Sequence, residues 1–136
     1  MKYPSILALS LTAALPFMSG CGGGAYPAKN ATKYNYETTA KFVALDSGAQ
    51  RSVTCPGLQE RRLEDGRLEV VANLRNRENR RIEVQVNCVF KDEQNFPVDE
   101  TPFRIIMLTE NATEGVSFVS MNNKAKNYTV RVRQSR

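Results

Sequence analysis

Between residues 82 and 90 the chain alternates two kinds of side chain: Ile82, Val84, Val86, Cys88 and Phe90 against Glu83, Gln85 and Asn87. Side chains along a strand point to opposite faces in turn, whereas those of a helix rotate by about 100° per residue, so only a strand keeps the two sets apart. The pattern predicts a half-buried antiparallel strand, the first set on a core and the second in solvent. Leu68, Val70, Ala72 and Leu74 repeat it within the run 63–75, which is entered through an Asp65-Gly66 turn. The polar segment 76–80 between the two runs reads as a hairpin turn.

Shorter runs of the same kind stand at residues 41–46, 51–58, 96–98, 103–108, 115–121 and 128–133. Ser47-Gly48 ends the first, and Pro56-Gly57 within the second is a turn signal. Pro97 has no amide hydrogen to give a ladder, which marks 96–98 as an edge piece. In the last run Tyr128, Val130 and Val132 alternate with Thr129, Arg131 and Arg133. No stretch carries a helical period. The expected fold is all-β: a small antiparallel β-sandwich of about seven strands, with turn signals between them.

The N-terminus has a different character. Lys2 precedes the apolar run 6–15, which is about half the roughly 20 residues a membrane-spanning helix needs. A short apolar core behind a cation, followed by small residues, is a secretory signal. Met18-Ser19-Gly20-Cys21 resembles a lipobox, in which the cysteine thiol is acylated and the chain is cut ahead of it. The expected organisation is a signal peptide at 1–20, a lipidated N-terminus and flexible tether at 21–38, and a β-domain at 39–136. Two or more acyl chains hold a domain stably on a membrane where one does not. Gly22 stands where an Asp would favour inner-membrane retention, which points to the outer membrane, facing the periplasm.

Export bears on the remaining cysteines, Cys55 and Cys88. An oxidising compartment makes their pairing the expected state, and closing the loop between them would contribute roughly 3–4 kcal/mol. With no His and no Cys-x-x-Cys, a zinc site has no support, and no cofactor is expected. The net charge of +5 is modest, and nucleic acid is not an expected partner of an exported, tethered domain.

The stretch 68–133 resembles the YcfL-like family of small bacterial lipoproteins in its order of features. A strand ending Leu74-Arg75-Asn76 precedes one ending Phe90-Lys91-Asp92. Thr101-Pro102-Phe103 then leads an apolar strand to Leu108, followed by the Thr/Ser-containing strand 113–120. Lys124-Ala125-Lys126-Asn127-Tyr128 introduces the last strand. Asn95 stands where a turn glycine is usual, and Phe103 where Trp is frequent. The resemblance implies an immunoglobulin-like sandwich and carries no catalytic residues.

The residues themselves agree with a non-enzymatic reading. The acidic pairs Glu64-Asp65, Asp92-Glu93 and Asp99-Glu100 fall in expected turns, where solvation explains them, and no EF-hand spacing is present. Arg75, Arg77, Arg80 and Arg81 gather at one turn, and Arg131 and Arg133 line the last strand. Together they are a candidate rim for anions or an acidic partner. The plainer reading, a soluble face that also guards against edge-to-edge pairing, weighs more. The expected function is a membrane-anchored module that binds another envelope protein or peptidoglycan. The alternative is a structural accessory lipoprotein of a secretion or other envelope-spanning machine.

Overall fold

The structure is a computed structural model and describes residues 40–135. The expected signal peptide and tether, with Cys21, lie outside the described residues.

Among the described residues eight strands form two sheets. β1 (Phe42–Ala44) leads through the helix α1 (Ser47–Ser52) into β2 (Val53–Arg62), β3 (Leu68–Asn76) and β4 (Ile82–Lys91). β5 (Pro97–Glu100), β6 (Arg104–Leu108), β7 (Thr113–Val119) and β8 (Asn127–Gln134) complete the order. The larger sheet runs β1-β8-β4, with β5 and β6 sharing the far edge of β4, and the smaller runs β2-β3-β7. β1 lies parallel to β8 and every other pair is antiparallel. The expected β-sandwich is the observed fold.

The period-two sets meet between the sheets. Leu68, Val70, Ala72 and Leu74 of β3 pack with Val84, Val86, Cys88 and Phe90 of β4, and β8 adds Tyr128, Val130 and Val132. The β3–β4 turn is fixed by Asn76, which is fully buried. Its side-chain amide donates to the carbonyls of Arg80, Leu108 and Thr109, and its oxygen accepts from the Glu78 N–H. A buried amide satisfied at both ends costs little to desolvate and sets the position of both strands it touches.

Three local expectations change. The turn expected at Ser47-Gly48 is the six-residue helix α1, capped by Asp46, whose Oδ1 accepts from the Ala49 N–H at 2.7 Å. Its other oxygen accepts from the Gln134 N–H, which ties the helix to β8. A helix this short buries only Ala49, so it leaves no period in the sequence. Pro56-Gly57 is no turn but a bulge within β2, where the register jumps between Thr54 and Gly57. β2 is an edge strand, and at an edge or a bulge the missing proline donor costs nothing. Asp99-Glu100 lies in β5 rather than in a turn.

Asn95 has φ 65°, the left-handed conformation a turn glycine would take and which Asn tolerates. Between β5 and β6, Pro102 interrupts the edge opposite Cys88. Thr101 closes the gap: its N–H donates to the Cys88 carbonyl, and its Oγ1 accepts from the Cys88 N–H, both at 2.9 Å.

Val86 is fully buried whereas Gln85 reaches the surface. Val86→Asp should therefore cost several kcal/mol, a large part of the ~5–15 kcal/mol that holds a domain together. Gln85→Asp should cost under about 1 kcal/mol. Thermal unfolding of the two variants of the full chain measures the difference, and equal losses would contradict this strand orientation.

Candidate binding face

The outer face of the larger sheet carries a stacked polar cluster. On β8 the residues pointing away from the core are Thr129, Arg131 and Arg133, and on β4 they include Gln85 and Asn87. Phe103, just past the Pro102 interruption, lies beneath both arginines. The Arg133 guanidinium carbon is 3.9 Å from its ring centroid and that of Arg131 is 5.5 Å away. Such stacking over an aromatic face contributes about 0.5–1 kcal/mol at an exposed site and fixes the plane of the guanidinium.

The two arginines differ in what they have left to offer. Arg131 is largely covered: its Nε donates to Asn87 Oδ1 at 3.0 Å, and it is ion-paired with Glu100. Asn87 closes the loop by donating to Glu100 Oε1 at 2.9 Å and to the Thr101 carbonyl at 3.1 Å. Arg133 is exposed, and among the described residues only its Nε is engaged, donating to Gln85 Oε1 at 2.7 Å. Among the described residues no carboxylate pairs with it. The free edge of its fork borders an open concavity lined by Leu45, Asp46, Ser47, Gly48, Gln85, Gln134 and Ser135. A planar guanidinium with two free donors, held flat and oriented, matches the geometry of a carboxylate or phosphate.

The other arginines of the expected rim lie elsewhere. Arg75 points outward from the smaller sheet, on the opposite side of the sandwich from Arg133. With Arg77, Thr54 and Asn111 it lines a separate shallow concavity. Arg80 and Arg81 sit in the β3–β4 turn beside Ser52 and the end of β8. One strand face, one turn and one opposite face replace a single rim. The alternation also placed Asn87 in solvent, yet it is fully buried. Val89, an apolar residue on the same outward-facing side of β4, was the signal that this part of the outer face is covered.

The aspartate of each acidic pair holds local structure together. Asp65 caps its hairpin through the Arg67 N–H and side chain, which hold its carboxyl below the usual range, and Asp92 Oδ1 accepts from the Gln94 and Phe96 N–H groups. Asp99 accepts from the Met121 N–H. No group of three or more His, Cys, Asp or Glu side chains able to hold a metal occurs among the described residues.

The expected Cys55–Cys88 link is not formed: both are free thiols. Cys55 sits in the β2 bulge, where its thiol turns to its own strand and donates to the Gly57 carbonyl at 3.3 Å. Cys88 is fully buried in the core. Burial, reinforced by the charge of Asp99, pushes the Cys88 thiol up to about 12, and burial, reinforced by Glu60, pushes Tyr128 up to about 12. Burial also raises Cys55, with backbone contacts to Gly57 and Asn73 opposing it.

No family model matches the chain, and no curated protein does. Solved structures match its fold. The Campylobacter jejuni protein cj0090 superposes with a TM-score of 0.59 at 12% identity, over 70% of this chain and 98% of that one. A DUF1425 family member from Shewanella sp. pv-4 gives 0.56 at 16% identity, over 62% and 79%. At these identities the likeness is one of fold: this is a small β-domain of a kind found in other bacterial proteins.

Two outcomes follow for the thiols. Alkylation of the native protein followed by peptide mass spectrometry should modify Cys55 first, and Cys88 only on unfolding. Two unreactive cysteines that a reductant releases would instead mean a disulfide. Above its ordinary pKa near 9, an unfolded Cys88 loses its proton while the folded one keeps it up to about 12. The folded state then holds more protons, so stability, at its full value below about 9, falls as pH rises towards 12. Denaturant midpoints should drop across that range, and Cys88→Ala should make the drop shallower.

Proposed function

We propose that the chain is a lipoprotein precursor of the YcfL-like kind, cut ahead of Cys21 and held by its acyl chains on the outer membrane, facing the periplasm. Its β-sandwich is a non-catalytic docking module for another envelope protein or a cell-wall component that presents carboxylates. The observation that carries the binding part of this reading is Arg133. It is exposed, stacked on Phe103 and oriented by Gln85, and no carboxylate of the described residues neutralises it. Charged groups held in place without a partner inside the molecule serve recognition more readily than stability. The anchor reading is supported by Lys2, the short apolar run and Met18-Ser19-Gly20-Cys21. Among the described residues no helix is long and apolar enough to cross a membrane.

A photo-crosslinking residue in place of Gln134, at the border of the concavity beside Arg133, should capture a specific partner in living cells. Arg133→Glu should abolish that capture, whereas Arg75→Glu on the opposite face should leave it intact. Cys21→Ser should abolish incorporation of a labelled fatty acid. Capture indifferent to Arg133→Glu would overturn the docking face, and equal fatty-acid labelling of Cys21→Ser and wild type would overturn the anchor.

A further inference from the structure

The connections of this sandwich gather at two ends. β8 starts at Asn127 opposite Lys91, the last residue of β4, and ends at Gln134 opposite Val84. The β2–β3 hairpin, the β4–β5 turn and the β7–β8 loop lie together at the near end, where β8 begins. β1 runs parallel to β8 with Phe42 paired to Val130, so the chain comes into the domain at that same end through Ala40 and Lys41. There the Ala40 carbonyl accepts from Thr129 Oγ1, and the Lys41 carbonyl from the Val130 N–H, both at 2.8 Å. α1, the β3–β4 turn and the concavity beside Arg133 belong to the far end, about 20 Å away along β8 at the rise of a strand.

The near end is braced from several sides. The Lys126 N–H donates to the Lys91 carbonyl, and the Asn127 side-chain amide to Asn95 Oδ1, both at 2.8 Å, which joins the β7–β8 loop to the β4–β5 turn. The Leu68 N–H donates to Ser120 Oγ and Asn123 lies over Gly66, which joins the loop to the hairpin. Two large apolar side chains stand out from this braced surface: Met121, 84% exposed, and Phe96, 64% exposed. Both are held at the backbone, the Met121 N–H donating to Asp99 at 2.7 Å and the Phe96 N–H to Asp92 at 2.9 Å. Lys124 and Lys126 are exposed beside Met121, and among the described residues no carboxylate pairs with either. The loop 120–126 contains no acid.

We infer, on the anchor reading above, that the near end is a membrane-contact surface. Phe96 and Met121 dip into the headgroup layer of the bilayer that holds the acylated cysteine, and Lys124 and Lys126 meet lipid phosphates. The occupant follows from where the chain comes in. Residues 22–39, even fully extended, cannot carry Ala40 more than about 65 Å from Cys21. They join the domain at the end that bears both exposed tips. A bilayer anchored on that side meets this end of the domain first. Tethering also raises the local concentration of the surface, so two tips too few to hold a free domain on a membrane suffice to seat a tethered one.

The charges fit a bilayer of mixed headgroups. Glu64 and Glu93, exposed in the hairpin and the β4–β5 turn, offset the two lysines. Contact therefore depends on apolar burial and on single lysine–phosphate pairs more than on attraction to an anionic surface. Lysines beside apolar tips suit that layer, because their stems lie along the apolar region while the ammonium stays at phosphate level. The same seating turns the far end away from the bilayer and leaves the concavity beside Arg133 open to a partner.

The sequence has no Trp, so single tryptophans read the contact directly. The full chain, expressed in a lipidating bacterial host, is reconstituted in vesicles of phosphatidylethanolamine and phosphatidylglycerol, with or without bromine on the upper acyl chains. Phe96→Trp and Met121→Trp should each lose at least about half of their emission to the bromines, since interfacial side chains sit roughly 5–10 Å deep. Met107→Trp is the control. Met107 is also exposed and apolar, but it lies opposite Glu83 towards the far end, and its emission should not change. Each variant exchanges one exposed apolar side chain for another, and thermal unfolding should match wild type. Flotation of the same vesicles reports the anchor separately. Protein left at the bottom of the gradient would overturn the anchor reading and the membrane contact with it. Protein that floats with either Phe96→Trp or Met121→Trp unquenched, as when the tips face a protein partner, would overturn the membrane contact alone, and so would equally strong quenching of Met107→Trp.

Discussion

Everything in this molecule is referred to β4, because β4 is hydrogen-bonded along both edges for nearly its whole length. β8 covers one side from Val84 to Lys91, while β6 and β5 divide the other. A strand in that position has no freedom to slip: moving it by one residue would turn Val84, Val86, Cys88 and Phe90 out of the core together. The weak point is the gap between β5 and β6, where Pro102 cannot donate. The Thr101 hydroxyl and amide, with Asn87 reaching the Thr101 carbonyl, take over the missing ladder bonds. The same interruption frees Phe103 to lie on the outer face, so the repair of the sheet and the construction of the arginine platform have one origin.

The strands were legible because alternation reports burial, and burial is decided by the sheet as a whole. Residues 68–74 and 82–90 point as their pattern requires, and the eight short runs correspond to eight strands. What the pattern concealed depends on which strand lies alongside. Pro56-Gly57 has the same local chemistry in a turn and in an edge bulge, and only the presence of β3 beside it decides between them. Asn87 is polar and outward, but Arg131, Glu100 and Thr101 come from distant parts of the chain to bury it. α1 is held by one cap and one alanine, too little to leave a period.

The site was legible in composition and not in place. Alternation along 128–133 puts Arg131 and Arg133 on the outward side of the last strand, where both stack on Phe103, although Arg131 is largely covered there. Their roles separate for a reason no spacing encodes. Glu100 of β5 lies within reach of Arg131 and not of Arg133, so one guanidinium is neutralised and the other is presented. Arg75 belongs to the smaller sheet, and its distance from Arg133 is a consequence of the sandwich having two outer faces.

The free thiols fit the same picture of a core that is complete without a crosslink. A disulfide chiefly limits the unfolded chain, and its value is greatest where a small domain cannot bury enough apolar surface. Here β3, β4 and β8 each contribute at least three fully or nearly fully buried apolar side chains to one cluster, and Cys88 occupies its place there as a small hydrophobe. Gln85 connects this core strand to the outer face of the sheet. Its side chain holds Arg133, and its backbone position lies opposite Ile105 at the edge of the same sheet.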